Sequence, residues 1–329
     1  MDNFMQPIQS FSPKKEDIGL RLDQFLVTSL HLSRSQIHTL LKEELVLLNN
    51  QKVKKNGTLL KEKDIITLLK VKEKEKEQKE LDIPILYEDE DLLILNKPID
   101  LITHKANEKD LQFTLIDYLK EHSIPLSNLG DSSREGIVHR LDKTTSGAMI
   151  IAKNNQTHAL LSTQIKERQI QRYYLCVIDS PLKNNIIVQS PLMRHPKNRL
   201  KYITTNPQDT RGKEAKSAFF KIQSNTNLEL IGAKLFSGRT HQIRAHLASL
   251  NRHILGDYFY GYKGEYSKRI LLHSHFLSFI HPKSKKLIEI YAPLYKDMLS
   301  YIRENFYKDN YEITAEFKIP LHKLFSTSF

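Results

Sequence analysis

Apolar residues recur at helical spacing in GLRLDQFLVTSL, where Leu22, Phe25, Leu26 and Leu30 form one stripe and predict a short helix. In HLSRSQIHTLLKEELVLLNN, Ser33 is placed to cap a second helix whose buried face is Ile37, Leu40 and Leu41, with Arg34, His38 and Lys42 on polar positions. The β-prone LVLLNNQKV, with a turn at Asn49-Asn50, and NGTLLKEKDIITLL, opened by Asn56-Gly57, then read as small strands. The first structured region therefore begins near Ile18, and residues 18–70 form a compact α+β unit.

The periodicity stops at KVKEKEKEQKELD, which alternates charge and has almost no face to bury. A solvated linker over 71–82 follows, and with it a domain boundary. Beyond it, IPILYEDEDLLILNKPIDLITH predicts two strands around an acidic turn, and GIVHRL, GAMIIAK, YYLCVI and KSAFFKI read as further strands. Helical spacing returns in NQTHALLSTQIKERQI and RTHQIRAHLASL. The pattern is mixed rather than strictly alternating, so the larger domain, 83–305, is sheet-rich α+β. The tail 306–329 still carries aromatic and aliphatic residues, which argues against a wholly disordered extension; no role is assigned to it.

Charge changes this picture. The 329 residues include 50 Lys and Arg against 38 Asp and Glu, a formal net charge of +12 that attracts a polyanion such as nucleic acid or an acidic membrane face. The one cysteine, Cys176, leaves no internal disulfide and no thiolate zinc cluster, and points to a reducing compartment. MDNFMQPIQS does not read as a signal peptide, and no apolar stretch approaches the ~20 residues that span a bilayer. A soluble cytoplasmic protein is the expectation. With no G-x-G-x-x-G or P-loop pattern, a nucleotide cofactor has no support.

Three stretches can carry chemistry. In GIVHRLDKTTSGAMIIAKN, Asp142 stands between Arg140 and Lys143, which favour its ionised form. It is either a reactive carboxylate or a turn residue paired with its neighbours, and spacing alone leaves both open. In LFSGRTHQIRAHLASLNRHILGDYFYG, Thr240 is placed to cap a helix whose stripe is Ile243, Leu247 and Leu250, with Arg244 at the core edge. That arginine suits a bidentate pair with a carboxylate, or a phosphate. His241 and His246 point ~140° apart on such a helix, which disfavours a zinc site. His273 and His275 share a strand face, but no third ligand can be nominated, so they read as structural. RQIQRYYLCVI brings Arg172, Tyr173 and Tyr174 to the entrance of a strand, where an aromatic is either core or a platform for a base.

Together HRLDKTTSGAMIIAK, LILNKPIDLITH before it and GRTHQIRAHLASLNRHILGDYFYG after it resemble the RluA family of pseudouridine synthases in order, spacing and identity, from about Ile83 to Pro293. The region from Ile18 to Leu69 resembles the small RNA-binding domain named after ribosomal protein S4. The resemblance implies a mixed, mainly antiparallel catalytic fold that converts uridine to pseudouridine in RNA without cofactor or metal. It matches Asp142 to the catalytic aspartate, Tyr174 to the tyrosine packed on the target base, and Arg244 to the arginine that pairs with the catalytic carboxylate. Arg140 matches the arginine associated with nucleotide flipping, and Lys97 and Pro98 a motif that supports the scaffold. Arg172 stands where many relatives have lysine.

Arg34, Lys42, Lys52, Lys54 and Lys55 in the small domain, and Arg172 and Arg239 in the large one, are candidate RNA contacts. Large-subunit (23S) ribosomal RNA is the favoured substrate, ahead of transfer RNA, for a monomer without a membrane partner. Two rival readings are a non-catalytic RNA-binding or ribosome-assembly protein and, more distantly, an aspartate-nucleophile glycosidase, which would need a partner acid within about 5 to 10 Å.

Overall fold

The computed structural model describes residues 5–30, 32–42, 44–53, 55, 57–71, 81–105, 112–307 and 318–328. The chain divides into two compact units, Met1–Leu81 and Asp82–Phe329.

The first unit starts earlier than the periodicity predicts. Strand β1 (Met5–Phe11), too polar in alternation to be read as a strand, pairs antiparallel with β4 (Ile66–Val71), and its Phe11 ring stands edge-on to Phe25 at 6.4 Å. Helices α1 (Leu22–Leu30) and α2 (Arg34–Lys42) bury Leu22, Phe25, Leu26, Ile37 and Leu41 in a small core shared with Ile66 and Leu68. Ser33 and Gln36 close a reciprocal cap at the start of α2: the Gln36 amide donates to the Ser33 hydroxyl and the Ser33 amide to the Gln36 side-chain oxygen. Strands β2 (Val46–Leu48) and β3 (Gln51–Lys52) turn at Asn49 and Asn50, both left-handed, and complete a sheet of order β1-β4-β2-β3. Arg34, Lys42, Lys52 and Lys55 are exposed, Lys52 pairing with Glu44; Lys54 lies outside the described residues, as does most of the expected linker.

The second unit is built on a nine-stranded sheet. Its strands are β5 (Ile85–Glu88), β6 (Leu92–Lys97), β7 (Ser146–Ala152), β8 (Gln171–Ile178), β9 (Ile186–Gln189), β12 (Lys216–Ser224), β13 (Glu229–Leu235), β14 (Leu272–Ile280) and β15 (Leu287–Tyr291), while β10 (Leu192–Arg194) and β11 (Tyr202–Thr204) form a separate hairpin. The order is β5-β6-β7-β14-β8-β13-β12-β9, with β15 on the second half of β14. Every pair is antiparallel except β7 with β14. At that parallel contact Gly147 has φ +116°, and a Cβ there would lie 2.3 Å from the Ser274 carbonyl oxygen, so only glycine lets the two strands meet. The helices are α3 (Leu115–Glu121), α4 (Asn155–Lys166), α5 (Gln242–Ser249), α6 (Lys296–Phe306) and α7 (Leu321–Ser328). None among the described residues is long and apolar enough to cross a membrane.

Two local expectations fail. GIVHRL is not a strand: apart from an Ile137–Ile151 bridge it is a loop, because the His139 ring, rather than a neighbouring backbone, accepts the Ile150 amide at 3.0 Å. Thr240 does not cap α5; the cap position is His241, held left-handed at φ 57° with no side-chain cap. The tail also acquires a place. Leu321 and Phe325 enter the main core, His322 stacks on Phe276 at 4.8 Å, and Phe325 lies 5.4 Å from Tyr173. Alternation along β8 sends Tyr173 to this α7 side and Tyr174 to the opposite face, where the cavity opens.

Candidate active site

A cavity of about 470 Å³ opens beside the start of β8 and α5. Asp142 lines it from the loop between Leu141 and Thr145, Tyr174 from β8, and His241 and Arg244 from α5. Among the described residues, Asp142 is the only acid on its wall; Arg134, Arg140, Lys166, Arg168, Arg172 and Arg239 are on the same wall.

The loop that carries Asp142 is braced from below. Lys97, at the end of β6, is fully buried and donates its amine to the carbonyls of Pro98 (2.7 Å) and Leu101 (2.8 Å), which folds the NKPIDL segment back on itself. That segment grips the Asp142 loop through the Asp100 amide to the Lys143 carbonyl (2.8 Å) and the Thr103 hydroxyl to the Leu141 carbonyl (3.0 Å). The Thr145 amide then closes a turn on the Asp142 carbonyl. Burial pushes the Lys97 amine down to about 7, although the nearby Asp142 charge pulls it the other way. Lys143 is exposed and reaches Gln112, not Asp142.

Arg244 lies between two carboxylates. Its Nε and Nη2 donate to Asp257 at 2.7 and 2.8 Å, a closed bidentate pair, whereas its Nη1 is 3.6 Å from Asp142. Asp257, in the GDYFYG stretch, has no role that the sequence reveals, and it is fully buried. Gly256, at φ +80°, precedes it; a Cβ there would lie 2.0 Å from the Arg269 carbonyl oxygen. The Tyr260 ring packs 4.7 Å from the guanidinium carbon, and its hydroxyl receives the Tyr202 amide (2.9 Å) and meets His241 Nδ1 (3.1 Å). Burial disfavours charge on Arg244, but the Asp257 hydrogen bonds, helped by both carboxylates, outweigh it and raise its pKa.

His241 Nε2 is 3.7 Å from Asp142. Burial lowers its pKa despite the pull of that carboxylate, so it faces Asp142 chiefly as a neutral ring. Tyr174 is buried, and burial raises its phenol above the ordinary value. Arg140 is exposed at the cavity and donates to His104 Nε2 at 3.4 Å; burial pushes His104 down to about 4, so it accepts as a neutral ring. Arg239 is exposed, with its Nε on the Glu214 carbonyl. The histidines weighed as ligands have other partners: His246 meets the Ser217 hydroxyl and the Ser190 carbonyl, and His273 and His275 both reach the Ala292 carbonyl.

One acid, a tyrosine and a ring of cations thus line a single cavity. Residues 91–249 match the model of the RNA pseudouridylate synthase family, and residues 20–66 that of the S4 domain. An uncharacterized RNA pseudouridine synthase of Helicobacter pylori is 47% identical over 309 residues, 91% of this chain and 94% of the relative. A ribosomal large subunit pseudouridine synthase D of Zymomonas mobilis is 34% identical over 307 residues, 89% and 96% of the two chains. The solved human RNA pseudouridylate synthase domain containing 4 shares the fold, with a TM-score of 0.53 at 21% identity over 67% of this chain and 91% of that one. The chain belongs to the RNA pseudouridine synthases, a family of isomerases. Within it the architecture is RluA-like, with an S4 domain ahead of the catalytic one.

Proposed function

We propose that this protein isomerises specific uridines in large-subunit ribosomal RNA, in the cytoplasm, with Asp142 as the reacting carboxylate and with the target base turned out of its stack. The observation that carries the reading is the placement of one ionisable acid, Asp142, on a cavity wall shared with Tyr174, Arg244 and Arg140. The reaction breaks the bond from ribose C1′ to uracil N1 and forms one to C5; the C5 proton is lost and N1 gains one, with no net redox change or hydrolysis. Attack on the base, attack on the sugar and a glycal route all need a carboxylate beside base and ribose. A base inside a helix lies out of reach of that wall, and unstacking it costs a few kcal/mol.

In this reading Tyr174 stacks on the uracil, Arg140 holds the extruded nucleotide at the mouth, and Arg244 orients Asp142 from a position set by Asp257. Lys97 and Pro98 hold the loop beneath. The small domain, through Arg34, Lys42, Lys52, Lys54 and Lys55, docks on neighbouring RNA, and Arg239 adds charge at the cavity. The absence of a second acid on the cavity wall among the described residues tells against glycoside hydrolysis. The large-subunit assignment draws on the S4 match and on the name of the Zymomonas relative.

Pseudouridine mapping of total RNA from cells with and without the gene, and with Asp142→Asn in its place, tests the reading. One or a few large-subunit positions should lose pseudouridine in both the deletion and the variant. Loss in transfer RNA instead would move the substrate. Unchanged modification with Asp142→Asn would remove the catalytic assignment of that residue, and unchanged modification in the deletion as well would leave an RNA-binding protein.

A further inference from the structure

Among the described residues three arginines are buried: Arg172, Arg244 and Arg269. Arg244 has Asp257, and Arg269 has Asp297 at 3.3 Å together with the Ser146 hydroxyl and the Ile270 carbonyl. Lys97, buried as well, gives its amine to two carbonyls. Arg172 differs from all of these. It is 7% exposed, makes no ion pair or hydrogen bond through its guanidinium with any described residue, and its Nε is enclosed without an acceptor. A desolvated cation without a counter-charge is unfavourable, and natural cores almost always supply a partner.

Arg172 is on the wall of the active cavity, two residues before Tyr174 on the same face of β8 and so about 7 Å along the strand from it. The wall around it is cationic, with Lys166, Arg168 and Arg239 exposed at the same cavity. Gly238 lies against the guanidinium: a Cβ there would be 2.7 Å from Arg172 Nη1, so a side chain at this position would make the guanidinium shift. The free protein thus holds one cation ready, with no anion beside it among the described residues.

We propose that Arg172 is the seat of a backbone phosphate of the bound RNA, one nucleotide's reach from the base stacked on Tyr174, and that the phosphodiester supplies the missing counter-charge. This deepens the catalytic reading above and rests on it for the position of the base. An anion is favoured over a uracil carbonyl because a neutral oxygen leaves the net charge of the buried group uncompensated, whereas a phosphodiester neutralises it and accepts two of the planar donors at once.

The test is hexauridylate binding to the full chain, followed by fluorescence anisotropy from about 50 to about 200 mM salt. Arg172→Met and Arg172→Gln should each flatten the slope of log affinity against log salt by about 0.7, the single-strand value for one phosphate, and Arg172→Lys should retain it. Hexauridylate with neutral methylphosphonate linkages should bind wild type and Arg172→Met alike. The free Arg172→Met protein should melt no lower than wild type, since it removes an uncompensated charge. An unchanged salt slope in the neutral variants would overturn the proposal. So would an equal loss of affinity for the methylphosphonate probe, which would mark a base carbonyl as the ligand. Because the readout is binding, protein that holds hexauridylate through Arg172 yet forms no pseudouridine in any RNA would sink the catalytic reading alone.

Discussion

The loop around Asp142 and the turn around Asp257 each present a carboxylate to Arg244, and they differ in how finished the contact is. Asp257 has no exposed side chain and closes a bidentate pair at 2.7 and 2.8 Å. Asp142 keeps 17% of its side chain exposed and stands 3.6 Å from the third nitrogen. A fully satisfied buried pair is a structural part; a partly open carboxylate held at a distance by the same cation retains lone pairs for another partner. One arginine thus separates an acid used for construction from an acid available for chemistry.

The sharpest way to break this comparison is to neutralise each acid in turn. Asp142→Asn should cost at least about 10³-fold in single-turnover isomerisation, as loss of a reacting group does, with little change in thermal stability. Asp257→Asn should do the reverse in stability: breaking one side of a buried ion pair costs about 3 kcal/mol or more, read by urea unfolding. If Asp257→Asn were as stable as wild type and Asp142→Asn unfolded, the assignments would have to be exchanged.

Lys97, under the Asp142 loop, provides a pH test. Its folded pKa of about 7 lies below the ordinary 10.5, so between those values the unfolded chain binds more protons and stability rises with pH. The penalty of burying the charged amine is fully present below about pH 7. Wild type should therefore gain on the order of 2 kcal/mol from about pH 6 to about pH 9 relative to Lys97→Met. Equal pH dependence in the two proteins would show that the amine is not desolvated.

At the same cavity Tyr174→Leu should slow isomerisation about tenfold, within the worth of one aromatic stack, while Tyr174→Phe stays near wild type. Unchanged kinetics in the leucine variant would reject the stacking role. The smallest effect is expected outside the catalytic unit: Arg34→Ala should weaken binding to large RNA only slightly and lower the salt slope by no more than about one unit. A collapse of activity there would move part of the site out of the cavity.

Much of this was legible along the chain. The stripes of α1, α2, α4 and α5 follow from side chains at i, i+3 and i+4, and β6, β7 and β8 from apolar runs between turn residues. GIVHRL failed because its apolar run looks like its neighbours; a histidine ring takes the hydrogen bond that a strand would have made. β1 was missed because MQPIQSF is too polar to reveal that Phe11 completes a small core. The tail was legible as not wholly disordered but not as α7 against Tyr173 and Phe276, because an apolar face does not name what covers it.

The sequence by itself determined which segments bury a face, the excess of positive charge and, through its motifs, the family and the naming of Asp142, Tyr174 and Arg244, which the fold brings to one cavity. These are properties of local spacing and of residue identity in order. Only the tertiary structure decided that Arg244 closes on Asp257 and stands off Asp142, that Lys97 is buried beneath the Asp142 loop, and that Arg172 is enclosed with no acid beside it among the described residues. Each depends on strand register and on a close approach that glycine permits, and the electrostatics of a buried charge are set by whichever groups the fold brings around it, wherever they lie in the chain.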